Sequence, residues 1–478
     1  MKYLIFGTGD YYERYKKWFR KDEVVALLDN SLAKQNTEID GNRVCSPEKG
    51  IELGYDKIII LSFYIKSMKQ QLMELGVDES DILHFYDLHT IIDVKQYPEC
   101  MRYYGGADKT VCSVDKRKTV LLLSHDLTLG GPAIALMHVA GVLLKQGMSV
   151  VYGSMLDGPL RERLLEKNIP VVVDEKLQIA TMDEIDWVQD FSLILCNTIN
   201  FHVFLTGRNT DIPIIWWLHD SLFFYDGIRK ENLQAIDRAN LKVVSVGPVP
   251  RLAIEQFLPD LEVGRLLYGV EDTAGVEDKP FMVRTVQDIQ ADYLNAEPVL
   301  RCVSIGYIEH RKGQDVLLEA IKRLPEELRK KTVFYLVGQD SSIMAQQIKQ
   351  DIENIPEIIM TGSVDRTEID RLLSHAHLLI CPSREDPMPT VAAEAMMHSV
   401  PCLVSDAAGT AKYITNEKDG LVFVSECVDE LTEKIKWCIE NKNELNKMGF
   451  CARELFDRVF SMDAFERDLL PLVNDVFS

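Results

Sequence analysis

The chain has 478 residues, of which 46% are hydrophobic and 27% charged, with a formal net charge of −21. This length predicts about two to four domains, and the composition is that of a globular rather than a disordered protein. The acidic balance argues against nucleic acid as a partner, because proteins that bind it normally carry a basic excess. Ten scattered cysteines without a CxxC pair indicate reduced thiols. No apolar run approaches the ~18 residues of a membrane span, so we expect a cytoplasmic protein.

The first of three strand–glycine–helix openings is KYLIFGTGDYYERYKKWF, followed by the apolar runs EVVALLDNS and KIIILSFY. This alternation predicts a small parallel α/β accessory domain over residues 1–105. Gly7 and Gly9 occupy the first two glycine positions of a dinucleotide fingerprint, and Asp29 stands about where a ribose-binding acid belongs. Tyr12 replaces the third glycine, and we expect it to obstruct a pyrophosphate. We therefore predict no tightly bound NAD-type cofactor here.

The segment from Cys100 to Lys118 lacks periodicity and is predicted to be a connector. The second opening, from Thr119 to Ser154, predicts a strand, a loop with Gly130 and Gly131, and a helix that ends at Gly147. Three more strands are expected at LILCNT, IPIIWWLHD and KVVSVGP. A second domain is predicted over residues 118–290, and the acidic stretch from Glu271 to Pro298 is the predicted linker to the next domain.

The third opening is VLRCVSIGYIEHRKGQDVLLEAIKRL, followed by the apolar runs TVFYLVGQD, EIIMTGSV, HLLICPS and PCLVSDAAG. Continuously apolar runs are typical of strands that are covered on both faces. A third domain is predicted over residues 298–478. Two placements of its last helix are left open, one within this domain and one packed back on the second domain. In parallel sheets ligands bind beyond the carboxyl ends of the strands, and two such domains are expected to enclose a cleft.

The second and third domains together resemble the GT-B-fold retaining glycosyltransferases of family 4. The motifs that carry this resemblance span about 120 residues and are GYIEHRKGQDVLLEA, YLVGQD, MTGSVDRTEIDRLLSHAHLLICPSREDPMPTVAAEAM and PCLVSDAAGTAKYITNEKDGLVF. The resemblance implies an α/β fold with two facing Rossmann-like domains, preceded here by the small N-terminal one. It also implies a nucleotide-diphosphate sugar as donor.

The donor motif of the family is two acids eight positions apart, and Asp386 and Glu394 have that spacing. The resemblance implies that Glu394 accepts hydrogen bonds from the ribose and that Asp386 holds sugar hydroxyls. The first acid is usually glutamate in the family, and Glu385 is one position out of register. A simpler interpretation is that Asp386 caps the helix and that Glu394 is a solvated helix residue.

Lys312 matches the lysine that neutralises the donor diphosphate, but Tyr307 stands where the family often adds an arginine. Arg311 either supplies the second cation or is an exposed loop residue. His219 resembles the histidine that faces the donor sugar, although a lone histidine after a strand is usually structural. Predicted catalytic residues are His219, Lys312 and Asp386, and predicted donor-binding residues are Gly131, Arg311, Lys312, Gly362, Asp386, Met388, Pro389, Thr390 and Glu394.

Asn197 is a weaker candidate on the acceptor side, and Ser363 joins Gly362 as a backbone contact to the base. The aromatic run WWLHDSLFFYDG is interpreted either as an acceptor platform, as a membrane contact or, for the Trp pair, as buried core.

The expected reaction is transfer of a sugar to a hydroxyl of a glycan, lipid-linked or protein acceptor, without metal or cofactor, in cell-surface polysaccharide or glycoconjugate synthesis. Contact with the inner face of a membrane is left open. The alternative is an inactive sugar-nucleotide-binding scaffold subunit.

Overall fold

A computed structural model describes residues 1–97, 101–112, 119–274 and 300–476. The chain forms two compact units: one comprises Met1–Val243 with Ala253–Glu262, and the other Val244–Leu252 with Val263–Ser478. The first sheet is built from β1 (Tyr3–Phe6), β2 (Val24–Leu28), β3 (Glu38–Ile39), β4 (Asn42–Cys45), β5 (Lys57–Ile60) and β6 (Ile82–His84), with helices α1 (Asp10–Tyr15), α2 (Pro47–Gly50) and α3 (Ile65–Glu74).

The strand order of the first sheet is β3-β4-β2-β1-β5-β6, and only the short β3 runs antiparallel to its neighbour. From β1 the chain first adds strands on one side and then returns to add β5 and β6 on the other. The order therefore reverses between β1 and β5, which is the usual ligand position in doubly wound sheets.

Tyr12 lies elsewhere than expected. Its side chain is buried at 3% exposure and packs beside the Lys16 ammonium, 5.7 Å from the ring centroid. The side chain that turns toward the strand ends is Tyr11, whose ring lies 4.7 Å from that of Phe63. The expectation that Tyr12 blocks a pyrophosphate is wrong, because the ring packs inward with the core. The absence of a tightly bound dinucleotide stays a prediction.

The second sheet has eight strands in the order β14-β13-β12-β11-β8-β9-β10-β7. Its elements are β7 (Met101–Tyr104), β8 (Thr119–Ser124), β9 (Ser149–Ser154), β10 (Val171–Asp174), β11 (Leu193–Asn197), β12 (Ile214–Leu218), β13 (Leu241–Ser245) and β14 (Val263–Arg265), with α4 (Ala107–Val111), α5 (Gly131–Lys145), α6 (Leu160–Glu166), α7 (His202–Thr206), α8 (Lys230–Gln234) and α9 (Pro248–Glu255).

The predicted connector contains regular structure. β7 pairs antiparallel with β10, Val171 facing Tyr104, and α4 follows it. The connector prediction was wrong because a four-residue edge strand with partly exposed side chains leaves no clear periodic pattern. The limits proposed for the three domains stay predictions.

Helix α5 ends as its sequence predicts. Gly147 has φ +76, the left-handed conformation that glycine adopts most easily. Its N–H bonds the Leu144 carbonyl at 3.0 Å, and the Met148 N–H bonds the Leu143 carbonyl at 3.1 Å, the two hydrogen bonds of a Schellman cap.

The third sheet is entirely parallel, with the order β17-β16-β15-β18-β19-β20. Its strands are β15 (Leu300–Ile305), β16 (Thr332–Val337), β17 (Ile358–Gly362), β18 (Leu378–Cys381), β19 (Cys402–Ser405) and β20 (Leu421–Phe423), and its helices are α10 (Gln314–Arg323), α11 (Glu326–Arg329), α12 (Ile343–Asp351), α13 (Arg366–His375), α14 (Thr390–Met397), α15 (Val428–Glu440), α16 (Lys442–Val459) and α17 (Met462–Asn474). The strands β16, β18 and β19 are buried at every position, as their continuous apolar runs predict.

Most of the predicted linker, residues 275–298, lies outside the described residues. Helix α17 packs against the segment that precedes the linker, since a side chain at Gly269 would meet Met462 and Phe465. The Val270 N–H also bonds the Phe460 carbonyl at 2.8 Å.

Candidate active site

Lys312 and Asp386 meet at the carboxyl edge of the third sheet. Lys312 ends the 3₁₀ turn His310–Lys312 that follows β15, and Asp386 lies in the loop after the neighbouring β18. The Lys312 ammonium is 2.6 Å from Asp386 Oδ2, and the two side chains are 19% and 6% exposed. The sheet therefore places a fixed, mostly buried ion pair where ligands of α/β folds bind.

The lysine turn is held against the acidic loop by its backbone. Gly313 has φ +69 and sits against the Pro382 carbonyl, so a side chain there would clash. The Arg384 N–H donates to the Arg311 carbonyl at 2.8 Å. The Arg384 guanidinium donates to both carboxylate oxygens of Asp315 at 2.8 Å. Arg384 is thus a positioning residue that the sequence analysis did not single out, although it lies inside the quoted motif that contains Asp386.

The Arg311 guanidinium is engaged within these loops. It pairs with Glu309 Oε1 at 2.8 Å and donates to the Glu385 carbonyl at 3.2 Å. Tyr307 is 63% exposed. Lys312 pairs with the Asp386 carboxylate, whereas Glu385 accepts from Arg311 through its main-chain carbonyl, and the choice of Asp386 over Glu385 stays a prediction.

Helix α14 begins at Thr390, after Pro389, and no side chain caps its N-terminus. The loop before it is fixed from three sides. The Gly409 N–H bonds the Asp386 carbonyl at 2.9 Å, Tyr268 donates to the Pro389 carbonyl at 3.0 Å, and Met388 is buried. The helix therefore offers first-turn N–H groups and the positive end of its dipole beside the Lys312–Asp386 pair.

Glu394 lies one turn into α14 and is 5% exposed. Arg366, at the start of α13, pairs with its Oε1 at 2.7 Å. Burial raises the pKa of Glu394, and the Arg366 charge opposes this shift. The simpler interpretation is wrong on both counts, because Asp386 does not cap the helix and Glu394 is not solvated.

Gly362 ends β17 with φ +70, and its carbonyl accepts the Gly338 N–H at 3.0 Å. Ser363 is exposed, and Asp365 caps α13 by accepting the Glu368 N–H at 2.9 Å. The loop that was predicted to contact the base thus leads directly to Arg366, the partner of Glu394, which the sequence analysis did not single out.

The first unit contains its own cluster at the ends of β8, β11 and β12. His219 is buried, its ring 4.4 Å from that of Trp217, and within the described residues its Nε2 atom has no hydrogen-bond partner. Burial lowers its pKa to about 3, with a further contribution from His125, so the imidazole is neutral near pH 7. His125, directly after β8, was missed, although its place at a strand end was a usable signal.

Asn197 and Gly131 belong to the same edge. The Asn197 amide donates to the Pro132 carbonyl at 2.9 Å, which ties β11 to the first turn of α5, where Gly131 is the first residue. Asp220, the neighbour of His219, is buried and accepts the Ile199 N–H at 2.6 Å. Burial raises the pKa of Asp220 to about 7.

The tryptophan pair of the aromatic run is buried, as the interpretation of these two residues as core predicts. Trp216 and Trp217 are fully buried, whereas Leu222 and Phe223 are 40% and 45% exposed. Over the described ranges no helix is long and apolar enough to cross a bilayer. In those same ranges no three His, Cys, Asp or Glu side chains are grouped to hold a metal ion, and the metal requirement stays a prediction.

Three family models match successive parts of the chain. Residues 1–83 match "C2185-like, N-terminal", residues 116–245 match "Glycosyl-transferase family 4", and residues 286–455 match "Glycosyl transferases group 1". The last two matches contain His219, Lys312, Asp386 and Glu394.

Among curated proteins, the lipopolysaccharide glucosyltransferase WaaG of Escherichia coli K12 is 29% identical over 136 residues, which are 28% of this chain and 36% of WaaG. The chain thus spans little more than a third of that relative. Among solved structures, Anabaena Alr3699/HepE in complex with UDP and glucose matches with a TM-score of 0.61 and 19% identity, over 74% of this chain and 99% of HepE. The WaaG crystal structure matches with a TM-score of 0.56 and 17% identity, over 74% and 99%. The fold is therefore GT-B, with two Rossmann-like domains.

Proposed function

We propose that this chain, which combines a family 4 and a group 1 glycosyltransferase domain in a GT-B fold, transfers a sugar from a nucleotide-diphosphate sugar to a hydroxyl acceptor with retention of anomeric configuration. The observation that carries this proposal is the Lys312–Asp386 ion pair at 2.6 Å, beside the uncapped N-terminus of α14. A cation and a helix N-terminus together suit a diphosphate.

Lys312 acts where negative charge grows. When the bond between the sugar and the diphosphate breaks, the bonding electrons leave with the phosphate oxygen. A fixed ammonium there stabilises the transition state more than the ground state. The first-turn N–H groups near Thr390 add to this stabilisation without a protein-bound metal.

The two acids bind hydroxyl groups. Asp386 accepts from the transferred sugar and Glu394 from the ribose, because carboxylates are strong acceptors for hydroxyl donors. Without ligand each acid is paired, Asp386 with Lys312 and Glu394 with Arg366. Donor binding therefore exchanges partners: the diphosphate takes a share of Lys312, and the ribose hydroxyls take a share of Glu394.

His219 positions the sugar as a neutral imidazole. Its unpartnered Nε2 is able to donate to or accept from a hydroxyl, and its depressed pKa argues against general-acid chemistry near pH 7. The acceptor hydroxyl then bonds the anomeric carbon on the face that the diphosphate leaves, and its proton passes to the departing phosphate oxygen.

The acceptor class rests on the relatives. One is a lipopolysaccharide glucosyltransferase and another, 22% identical over 221 residues, is the sulfoquinovosyl transferase SQD2 of Arabidopsis thaliana. We propose a glycan or lipid-linked acceptor in polysaccharide or glycoconjugate synthesis, with the cytoplasm as the site of reaction. The alternative of an inactive scaffold rests on Tyr307 and on Asp386 in place of glutamate.

The test is a product analysis. Purified full-length chain is incubated with the nucleotide sugar that it hydrolyses fastest and with a hydroxyl acceptor, and the anomeric configuration of the product is read by NMR. We expect the configuration of the donor, and transfer that persists in excess chelator. An inverted product would contradict retention, and loss of transfer on chelation would contradict the metal-free mechanism.

A further inference from the structure

The first sheet contains a pocket that the proposed function does not use. Its volume is about 400 Å³, and it is lined by the ends of β1, β2 and β5: the glycine loop Gly7–Gly9, Asp29, and the segment Leu61–Tyr64. This is the place between β1 and β5 where the strand order reverses, and the volume falls in the range of about 300–1,000 Å³ that small-molecule sites occupy.

The polar wall of the pocket is rich in acceptors. Asp29 accepts the Ser31 N–H at 2.8 Å and the Thr8 hydroxyl, and the Lys34 ammonium lies 3.4 Å away. Burial opposes ionisation of Asp29, but these hydrogen bonds and Lys34 outweigh it and keep its pKa below the usual value. Its carboxylate is therefore charged and fixed at the end of β2, where it suits a ligand that donates hydroxyl hydrogens.

The same pocket disfavours phosphate. Asp10, the first residue of α1, is part of the lining and places a negative charge where a dinucleotide fold would hold a pyrophosphate. Lys34 does not compensate, because it is not among the residues that line the pocket.

The lining of the pocket also includes aromatic side chains that are partly exposed. Phe63 and Tyr64 are 41% and 72% exposed, and Tyr11 stands against Phe63 at 4.7 Å. Partly exposed aromatic side chains in a pocket offer an apolar face on which a ring is able to pack. Aromatic side chains and a fixed carboxylate in the lining of one pocket match a ring that has one apolar face and several hydroxyl donors.

We propose that this pocket binds a neutral sugar ring through its vicinal hydroxyls, either a pyranose or the ribose of a nucleoside. Asp29 accepts from adjacent hydroxyls, and the aromatic side chains of the lining pack on the apolar face of the ring or base. The inference does not depend on the proposed transferase activity, since none of these residues belongs to the sites at His219 or Lys312.

A larger side chain at position Gly9 would fill the pocket without straining the backbone. It lines the pocket, has φ −97, and an added Cβ would meet no atom within 4 Å. Gly54 is a matched control, because it lies in the same part of the chain, also has open space around its Cβ and does not line the pocket.

The experiment is ligand-observed NMR on the full chain, with glucose, galactose, mannose, uridine, adenosine and NAD as probes. We expect at least one monosaccharide or nucleoside to bind wild type and Gly54→Leu equally, and to bind Gly9→Leu and the isosteric Asp29→Asn at least tenfold more weakly. Binding by the monosaccharides alone identifies a pyranose, and binding by the nucleosides alone identifies ribose. The proposal is overturned if no probe distinguishes Gly9→Leu from Gly54→Leu, or if NAD binds at least tenfold tighter than adenosine.

Discussion

Lys312 and Asp386 form a charge pair that is too buried to be a mere surface contact and too open to be core. Surface ion pairs contribute only about 0–1 kcal/mol to stability, and burying a pair costs desolvation that the attraction barely offsets. The fold therefore gains little from holding the pair. Its placement at a strand edge is better explained by a ligand that uses both groups.

Lys312→Gln tests the role of this ammonium. The amide is still able to donate to Asp386, so the loop keeps a hydrogen bond while the charge is lost. We expect transfer to fall about 10²–10³-fold, the usual effect of removing one transition-state donor. The control is Lys322→Gln, since Lys322 pairs with Glu319 and Asp351 on the surface at 3.0 and 3.1 Å. Equal transfer rates in the two variants would refute the assignment.

Asp220 is expected to make the stability of the folded chain depend on pH. Its pKa in the folded chain is about 7, against 3.8 as reference, so between these values the folded state binds more protons than the unfolded state. Stability from this group is therefore present at low pH and is lost as pH rises toward 7. In the Asp220→Asn variant the amide oxygen still accepts the hydrogen bond from the Ile199 N–H, but the side chain no longer titrates.

We expect the gain in melting temperature of Asp220→Asn over wild type to grow from pH 5 to pH 8. Asp211→Asn, at an exposed position, serves as the control and should show no such growth. A constant difference across this range would show that Asp220 does not titrate there.

Helix α5 shows how far local sequence decides an element. Its start after Gly130 and its end before Gly147 follow from glycine positions and apolar periodicity, and both were predicted. The short strands β4, β6 and β10 escaped prediction. Each has at most four residues, and such strands are specified by their neighbours in the sheet rather than by their own pattern.

Gly147→Ala and Gly141→Ala form a matched pair in this helix. Gly147 has φ +76, and a Cβ there meets nothing within 4 Å, so only backbone strain of roughly 1–2 kcal/mol opposes alanine. Gly141 lies inside α5, also with free space, where alanine should stabilise by roughly 0.5–1 kcal/mol. Urea denaturation should give free-energy changes of opposite sign. The same sign for both would mean that the cap geometry is not as described.

The candidate site was predictable where the chemistry lies in one motif. Asp386, Glu394 and Lys312 were expected because the motifs that contain them resemble those of family 4. Arg366 and Arg384 could not be found this way, because each acts on a residue that is distant in sequence: Arg366 on Glu394, and Arg384 on Asp315, at the start of α10. Only the packing of the sheet brings them together.

The first sheet and most of the second sheet share one compact unit, and they are joined by buried polar contacts. Asp87 is 1% exposed. Arg229 reaches it from the second sheet through Nε at 2.8 Å and Nη2 at 3.3 Å, and the His84 N–H also donates to it at 3.2 Å. Phe63 adds an edge-to-face contact with Phe224 at 6.1 Å. We therefore expect the two sheets to unfold together.

Arg229→Ala should destabilise this whole unit, because it leaves a buried carboxylate short of partners, at a cost of about 1–3 kcal/mol. Hydrogen exchange should then increase both around residues 82–90 and around residues 222–230. Arg238→Ala, at an exposed position, is the control. Increased exchange in only one of the two regions would mean that the sheets unfold independently.

The central claim is that the chain turns over a nucleotide-sugar donor at the α14 site. The most direct measurement is the rate at which wild type and Glu394→Gln release nucleoside diphosphate from a panel of nucleotide sugars. We expect release from at least one donor by wild type, and release at least tenfold slower by Glu394→Gln at donor concentrations below saturation, with both chains folded. No release from any donor by folded wild type, or equal rates in the two chains, would contradict it.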